Sequence, residues 1–220
     1  MPSRSANLAQ AVRLVLASNN PGKLAELQSL FAPLGLSLVA QGILGIGEAD
    51  EPHASFVENA LAKARHAARM ANGAAIADDS GLVVDALDGA PGVASAHFAP
   101  TEDPGGDREA RRRHQDAANN ALLLERLRGR TNRSARFVST LVAIRSAADP
   151  EPLIATGRWP AEIAEAPRGN AGFGYDPLVF IAALGKTVAE LDAAAKNAFS
   201  HRALAARQML ALMRDTWRLG

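Results

Sequence analysis

The chain of 220 residues contains no cysteine, which excludes disulfide bonds, thiolate metal sites and thiol redox chemistry. An excess of charge of one sign is also lacking, because 24 lysines and arginines stand against 23 aspartates and glutamates. A formal net charge of +1 gives no bulk field that would attract DNA, RNA or an anionic membrane. Any anionic ligand must therefore be bound by a local arrangement of side chains and backbone.

Long hydrophobic runs are lacking as well. No apolar stretch approaches the roughly 20 residues that span a bilayer, and the polar segment 1–10 has no apolar centre of the kind found in signal peptides. We therefore expect a cytoplasmic protein with no membrane partner and no nucleic-acid partner. Residues 1–10 are predicted to be a poorly ordered extension, and residues 11–220 a single domain.

Short apolar runs alternate with segments of helical periodicity in the first third of the chain. Residues 12–17 predict a strand, residues 23–31 a helix and residues 35–40 a second strand, which is the order of a βαβ unit. Ser55 and Glu58 have the spacing of a capping box and predict the start of an alanine-rich helix.

The rest of the chain predicts a mixture of strand types. Residues 74–77 predict a strand that ends at 78–81, and the runs 136–144 and 153–159 predict a hairpin. The segment 203–217 predicts a last amphipathic helix. We expect an α/β or α+β fold with a mixed sheet.

The first strand–helix junction has the composition of a phosphate-binding loop. The start of a helix offers unpaired backbone N–H groups and a partial positive charge, which small polar side chains and a lysine complement. The residues are Ser18, Asn19, Asn20, Pro21, Gly22 and Lys23, with Glu26 close behind. The Walker spacing is absent. An ordinary helix cap with Pro21 in the first turn is the alternative.

A pair of aspartates follows the predicted third strand, with Asp50 and Glu51 upstream. Neighbouring strand residues point to opposite faces, so at most one carboxylate enters a given cleft, and Asp79, nearer the turn, is the better candidate. Such a carboxylate can hold Mg²⁺ against substrate phosphates, or accept a proton from an attacking water. The alternative is that Asp78 and Asp79 only build a turn into Gly81.

A glycine-rich loop, 169–177, carries three glycines interleaved with two aromatic residues. Its backbone can approach a flat ligand closely while a ring stacks on it, which is a way to grip a base. The glycine spacing does not match the dinucleotide-binding fingerprint, so that fold has no support. A simple loop is the alternative.

Lys196 and the triplet 200–202 precede the last predicted helix. Ser200 suits a helix N-cap. His201 and Arg202 can instead aim hydrogen-bond donors at a base or a phosphate. The other histidines lack the spacing of zinc ligands and cysteine is absent, so no zinc site is expected.

Taken together and in this order, these motifs resemble those of the inosine/xanthosine triphosphate pyrophosphatase family, also described as HAM1-like. The similarity extends from about residue 12 to residue 213. It rests on Leu-Ala-Ser-Asn-Asn-Pro-Gly-Lys (16–23), Ser-Phe-Val-Glu-Asn (55–59), Ile-Ala-Asp-Asp-Ser-Gly-Leu (76–82), Gly-Phe-Gly-Tyr-Asp-Pro (172–177) and Ser-His-Arg (200–202).

The resemblance implies a curved mixed sheet with two lobes around a substrate cleft, commonly as a homodimer. It also implies Mg²⁺-dependent hydrolysis of non-canonical purine triphosphates (ITP, dITP and XTP) to the monophosphate and pyrophosphate. Glu51 and Asp79 would hold the metal, and Asp79 would accept the proton. The implied substrate contacts are Ser18, Asn19, Asn20, Pro21, Gly22, Lys23, Ser80, Phe173, Gly174, Tyr175, Asp176, Lys196, His201 and Arg202.

This assignment suggests how adenine nucleotides would be spared. Hypoxanthine and xanthine present an oxygen acceptor at position 6, where adenine presents an amino donor. Donors on His201, Arg202 and the loop around Phe173 would then favour the 6-oxo bases.

The sequence departs from the family pattern at two places, and two alternative functions have some support in it. His97 stands where arginine is usual, and the segment 100–114 is longer and more basic than usual. A Maf-like nucleotide pyrophosphatase is one alternative, but Asn20 and Lys23 do not match its first loop. A nucleic-acid-binding protein that uses the basic run 108–113 is the other, and the overall charge balance argues against it.

Overall fold

A computed structural model describes residues 13–219. Its strands are β1 Arg13–Leu16, β2 Ser37–Ala40, β3 Ala75–Val84, β4 Ser134–Ile144, β5 Leu153–Ile163, β6 Val179–Ile181 and β7 Lys186–Thr187. Its α-helices are α1 Pro21–Phe31, α2 Phe56–Ala71, α3 Arg108–Arg126, α4 Ala193–Phe199 and α5 His201–Trp217. The predicted mixed α/β class is confirmed. The predicted extension 1–10 lies outside the described residues.

Seven strands form one mixed sheet in the order β2-β1-β3-β4-β5-β6-β7. β1 is parallel to β2 and β3, and every later pair is antiparallel, including the predicted hairpin of β4 and β5. Leu16 is paired with Ile76, and the N–H of Ala17 donates to the carbonyl of Ile76 at 2.8 Å. The residues that follow Leu16 in the chain therefore lie beside the aspartates of β3.

Strand β3 does not end where the sequence predicted. It continues through Asp78–Gly81 to Val84, and these residues are paired in register with β4. The predicted turn is wrong because cationic side chains from other elements neutralise both aspartates, which makes carboxylates tolerable inside a sheet. Gly81 is needed for close approach, since a Cβ there would collide with the carbonyl of Gly92 and the hydroxyl of Ser95.

Helix α2 lies against the sheet through a stripe of alanines at helical spacing. Ala60, Ala64 and Ala67 are fully buried, and such small side chains let a helix pack close to the strands. Ser55 caps the helix as predicted, because its hydroxyl oxygen accepts from the N–H of Glu58. Lys63 interrupts the stripe and is 8% exposed.

Apolar side chains form separate groups around the two ends of the sheet. One group joins α1, β1 and α5 and includes Leu27 and Met209. Another packs α3 against the far ends of β3, β4 and β5 and includes Leu123 and Trp159. A third group joins the α2 alanines to β1, β3 and β4. No helix within residues 13–219 is long and apolar enough to cross a membrane.

The start of α5 is held close to the sheet. A Cβ at Gly157 of β5 would overlap the carbonyl of His201, so the absence of a side chain allows this approach. Ser200 is the N-cap, as the sequence suggested, and its hydroxyl oxygen accepts from the N–H of Ala203 at 3.1 Å. His201 and Arg202 are thereby fixed as the first two residues of the helix.

Candidate active site

A cleft of about 490 Å³ brings the sequence motifs together. The predicted substrate contacts among its lining residues are Ser18, Asn20, Lys23, Ser80, Phe173, Gly174, Tyr175, Asp176, Lys196, His201 and Arg202. Asn19, Pro21 and Gly22 adjoin these residues in the chain but are not lining residues. Asp79 is not a lining residue either, whereas Asp78 is, so the prediction that Asp79 is the aspartate exposed to the cleft is wrong; Asp79 reaches the edge of the cleft only through Lys63 and Glu51. Glu51 lines the cleft, and so does Lys63, which stands between Glu51 and Asp79.

The loop between β1 and α1 is built as a helix cap. Asn20 is the N-cap, and its Oδ1 accepts from the N–H groups of Gly22 at 2.9 Å and Lys23 at 3.2 Å. The hydroxyl of Ser18 in turn accepts from the N–H of Asn20. The alternative prediction, that this loop forms a helix cap, is therefore confirmed. Binding of phosphate here stays a prediction. The positive end of the helix and the Lys23 ammonium still favour an anion.

Asp78 is a fully paired carboxylate beneath this loop. Its Oδ2 lies 3.1 Å from Lys23 Nζ and 3.1 Å from Arg202 Nε, and its Oδ1 accepts from the Ser139 hydroxyl at 2.7 Å. Burial alone would raise the pKa of Asp78, but the two cations hold it far below its usual range. Asp78 therefore stays ionised, with its oxygens occupied.

Asp79 lies in a different environment. Its Oδ1 accepts from Lys63 Nζ at 2.7 Å, and the same ammonium lies 2.9 Å from Glu51 Oε2. Within residues 13–219, Asp79 Oδ2 is buried and has no hydrogen-bond partner. Burial and the neighbouring Glu51 carboxylate raise the pKa of Asp79 to about 6, although the Lys63 ammonium acts against this rise. A buried carboxylate with one free oxygen and such a pKa is suited to accept a proton near neutral pH.

Lys63 lines the cleft between the two predicted metal ligands, and it was not singled out from the sequence. Burial acts to lower the pKa of its ammonium, but the carboxylates of Asp79 and Glu51 outweigh burial and raise it. Lys63 therefore stays charged between them. A signal was available, because a lysine that interrupts a buried alanine stripe must meet an anion there.

The acidic pair fits a magnesium ion. Mg²⁺ prefers oxygen ligands and is commonly held by one or two carboxylates together with substrate phosphates and waters. Asp79 offers its free Oδ2, and the Glu51 side chain is 45% exposed beside it. The described part of the chain contains no group of three or more acidic or histidine side chains that could cage a metal unaided. A site completed by the substrate is the arrangement these residues can form.

The glycine-rich loop is fixed by Asp176 and Lys196. Asp176 Oδ2 accepts from the N–H of Phe173 at 3.0 Å and from Lys196 Nζ at 2.8 Å. The Lys196 ammonium also lies 4.8 Å from the centre of the Phe173 ring. Tyr175 is buried, and its hydroxyl donates to the carbonyl of Ser95. These contacts present the Phe173 ring at the cleft and give Tyr175 a structural task.

Arg202 and His201 close the base of the cleft. Arg202 donates through Nε to Asp78, through Nη2 to the Ser80 hydroxyl at 3.1 Å and through Nη1 to Glu26. The His201 ring stacks on Phe137 with centroids 4.8 Å apart. Burial holds the pKa of His201 well below its usual range, so the ring is neutral. Arg202 thus donates hydrogen bonds to three protein groups without any ligand.

Comparison with known proteins agrees with this geometry. The model of the Ham1 family matches residues 14–212. The chain belongs to the Ham1 family. It is 68% identical over 206 residues to a Methylibium petroleiphilum protein named dITP/XTP pyrophosphatase, a match that covers 94% of this chain and 99% of that protein. A Leptothrix cholodnii protein of the same name is 64% identical over 211 residues, with 94% and 100% covered.

Solved structures of Ham1 proteins have the same fold. A HAM1 protein from Coxiella burnetii superposes with a TM-score of 0.82 at 39% identity, and the match covers 93% of this chain and 100% of that one. The Staphylococcus aureus Ham1 protein gives a TM-score of 0.77 at 33% identity, with 92% and 98% covered. The expected family and fold are both confirmed.

The rim of the cleft in this Ham1 protein carries basic side chains from the start of α3 and from position 97. Arg108, Arg111, Arg112 and His97 are all lining residues. The three arginines are paired with Glu48, Asp103 and Glu109 respectively. Their charge is therefore balanced in place, which argues against the nucleic-acid-binding alternative.

Proposed function

We propose that this Ham1 protein hydrolyses non-canonical purine nucleoside triphosphates (ITP, dITP and XTP) to the monophosphate and pyrophosphate. The observation that carries the proposal is the free, buried Asp79 Oδ2, which lies beside the Lys63–Glu51 pair and near a helix start suited to phosphates. The names of the two relatives at 68% and 64% identity support the substrate class and the products.

The chain's own groups account for the steps of such a reaction. The triphosphate would lie at the start of α1, where Lys23 and the helix end offset its charge. A water beside the Asp79 carboxylate would give its proton to that carboxylate as the water oxygen bonds to the α-phosphorus. The bond from the α-phosphorus to the bridging oxygen then breaks, and pyrophosphate leaves with that oxygen.

Glu51 and Asp79 are the residues that would hold magnesium. When bound there, Mg²⁺ supplies positive charge to the phosphate oxygens. Lys63 keeps the two carboxylates together and ionised, because its ammonium contacts both.

The base would lie against the Phe173 ring. Two cations lie over this ring, the Lys196 ammonium at 4.8 Å and the Arg112 guanidinium at 5.5 Å from its centre. The neutral His201 lines the same cleft and has a ring nitrogen that is unpaired within residues 13–219, whereas Arg202 is engaged by Asp78, Glu26 and Ser80. The oxygen at position 6 of a 6-oxo base can accept a hydrogen bond from a donor at this point, whereas the amino group of adenine cannot. We also propose, from the family resemblance, that the enzyme is a cytoplasmic homodimer.

A product assay tests the proposal. Purified protein is incubated with ITP, dITP, XTP, GTP, ATP and CTP, with Mg²⁺ or with EDTA, and pyrophosphate and orthophosphate are measured separately. We expect pyrophosphate from the first three nucleotides, in the presence of Mg²⁺. Equal turnover of ATP and ITP, or turnover in EDTA equal to that in Mg²⁺, would contradict the proposal.

A further inference from the structure

One carboxylate oxygen at the mouth of the cleft collects two donors from separate parts of the chain. Glu48 Oε1 accepts from Arg108 Nη2 at 2.7 Å and from Asn19 Nδ2 at 3.3 Å. Asn19 belongs to the loop before α1, and Arg108 is the first residue of α3. Glu48 and Arg108 both line the cleft. The Glu48 carboxylate oxygen is therefore an anion already bound at the outer end of the loop before α1, which is the loop proposed to hold phosphates.

The Asn19 donor is held in position by its own loop. Its Oδ1 accepts from the N–H of Gly42 at 2.8 Å, which leaves the Nδ2 donor directed to Glu48. A Cβ at Gly42 would collide with Asn19 Oδ1, so this approach requires glycine. The amide thus presents an N–H group whatever anion replaces the carboxylate.

The Arg108–Glu48 pair is suited to exchange. The two side chains are 66% and 61% exposed, and an ion pair so open to water contributes little to stability. Release of Glu48 would return its carboxylate to water at small cost. The other two rim arginines differ, because Arg111 and Arg112 are paired with carboxylates of their own segment, Asp103 and Glu109.

We propose that Arg108 and Asn19 bind the β- and γ-phosphates of the substrate, and that Glu48 occupies the position of a phosphate oxygen in the free enzyme. This inference rests on the proposed function; it adds Arg108 to that site and assigns the already predicted contact Asn19 to particular phosphates. A guanidinium matches a phosphate at least as well as a carboxylate, and it can bind two phosphate oxygens at once. The exchange keeps the charge of Arg108 paired throughout. The basic segment that departs from the family pattern thereby acquires a task in substrate binding.

The test compares Arg108→Ala with Arg113→Ala, a matched control on the same helix that is outside the lining residues and 69% exposed. Steady-state rates with ITP give KM and kcat, and product inhibition is measured with pyrophosphate and with IMP. In Arg108→Ala we expect KM and the pyrophosphate inhibition constant to rise about fivefold, with kcat and IMP inhibition nearly unchanged. Arg113→Ala should behave as the wild type.

The role of Glu48 as a competitor gives a second readout. Glu48→Gln removes the competing charge and should lower KM by about twofold, and this gain should vanish in the Arg108→Ala background. Unchanged KM and pyrophosphate inhibition in Arg108→Ala would overturn the inference. An equal rise in KM and in both inhibition constants, together with a lower Tm, would also overturn it, because that pattern indicates that Arg108 only stabilises the fold.

Failure of the proposed function can be told apart from failure of this inference. A wild-type protein that releases no pyrophosphate from ITP would contradict the proposed function. Calorimetric titration with pyrophosphate and Mg²⁺ would still test Arg108 in that case. Weaker binding to Arg108→Ala than to Arg113→Ala would support the inference, and equal binding to both variants would overturn it.

Discussion

Asp78 and Asp79 are adjacent on β3, yet they share no ion-pair partner within residues 13–219. Asp78 is paired with Lys23 and Arg202, and Asp79 with Lys63. The alternation of a β-strand sends the two side chains to opposite faces, where different helices supply the cations. Two residues of the same chemistry therefore have different tasks, since Asp78 neutralises buried cations and Asp79 keeps one oxygen free.

Asp79→Asn should abolish most of the activity while the fold persists. An amide can neither accept the proton of the attacking water nor supply full negative charge to a metal, so kcat should fall by about 100-fold or more. The measurement is pyrophosphate release from ITP, with circular dichroism as the control for folding. Turnover near the wild-type level would show that Asp79 is not the base.

Asp78→Asn should chiefly destabilise the protein. The change leaves Lys23 and Arg202 buried without their shared anion, and loss of one partner of a buried ion pair costs about 3 kcal/mol or more. Urea unfolding measures the loss, and Asp79→Asn serves as the matched control on the same strand. If the two variants were equally stable, the structural task assigned to Asp78 would be wrong.

Lys63→Met should impair catalysis by removing the ammonium between Asp79 and Glu51. Two nearby carboxylates would then repel each other, and we expect kcat/KM for ITP to fall by about 100-fold. Lys63→Arg keeps the positive charge and should restore part of the loss. Equal activities of the Met and Arg variants would mean that charge at this position is unimportant.

The buried His201 should make the protein less stable as the solution is acidified. Its folded-state pKa lies well below the unfolded value of 6.5, chiefly through burial. Between these two pKa values the unfolded chain binds the extra proton. The contribution of His201 is therefore complete above pH 6.5 and is lost as the pH falls towards the lower, folded-state pKa.

His201→Phe gives the comparison for this pH effect, because it retains a ring to stack on Phe137. Unfolding free energies of both proteins are measured from pH 7.5 to 5.5. The wild type should lose up to about 1.4 kcal/mol per pH unit relative to the variant below pH 6.5. Parallel curves for the two proteins would contradict a low pKa for His201.

Much of the fold and the membership of the site could be predicted from the sequence, since both depend on local signals. Hydrophobic periodicity indicated the βαβ start and the β4–β5 hairpin. Ser55 and Ser200 were identifiable as caps because capping depends on neighbours three residues away. Four of the five motifs quoted for the family resemblance contribute lining residues to one cleft, and the motif 55–59 lies outside it, at the start of α2.

What the sequence could not predict depends on distant partners. Asp78–Gly81 looked like a turn because polar residues and glycine favour turns, whereas the cation that neutralises Asp78 from α5 is 124 residues away. Lys63 was not singled out, because its partners Glu51 and Asp79 are 12 and 16 residues away and meet it only when α2 packs on β3. Arg202 looked free to read a base, and its engagement by Glu26 and Asp78 required the tertiary structure.

The measurement that tests the central claim most directly is hydrolysis of ITP in H₂¹⁸O, with mass spectrometry of both products. Attack of water on the α-phosphorus puts the label in the monophosphate and leaves the pyrophosphate unlabelled. We expect that result, and we expect the rate at which labelled monophosphate forms to fall by about 100-fold or more in Asp79→Asn. Label in pyrophosphate, or stepwise release of orthophosphate, would contradict the account.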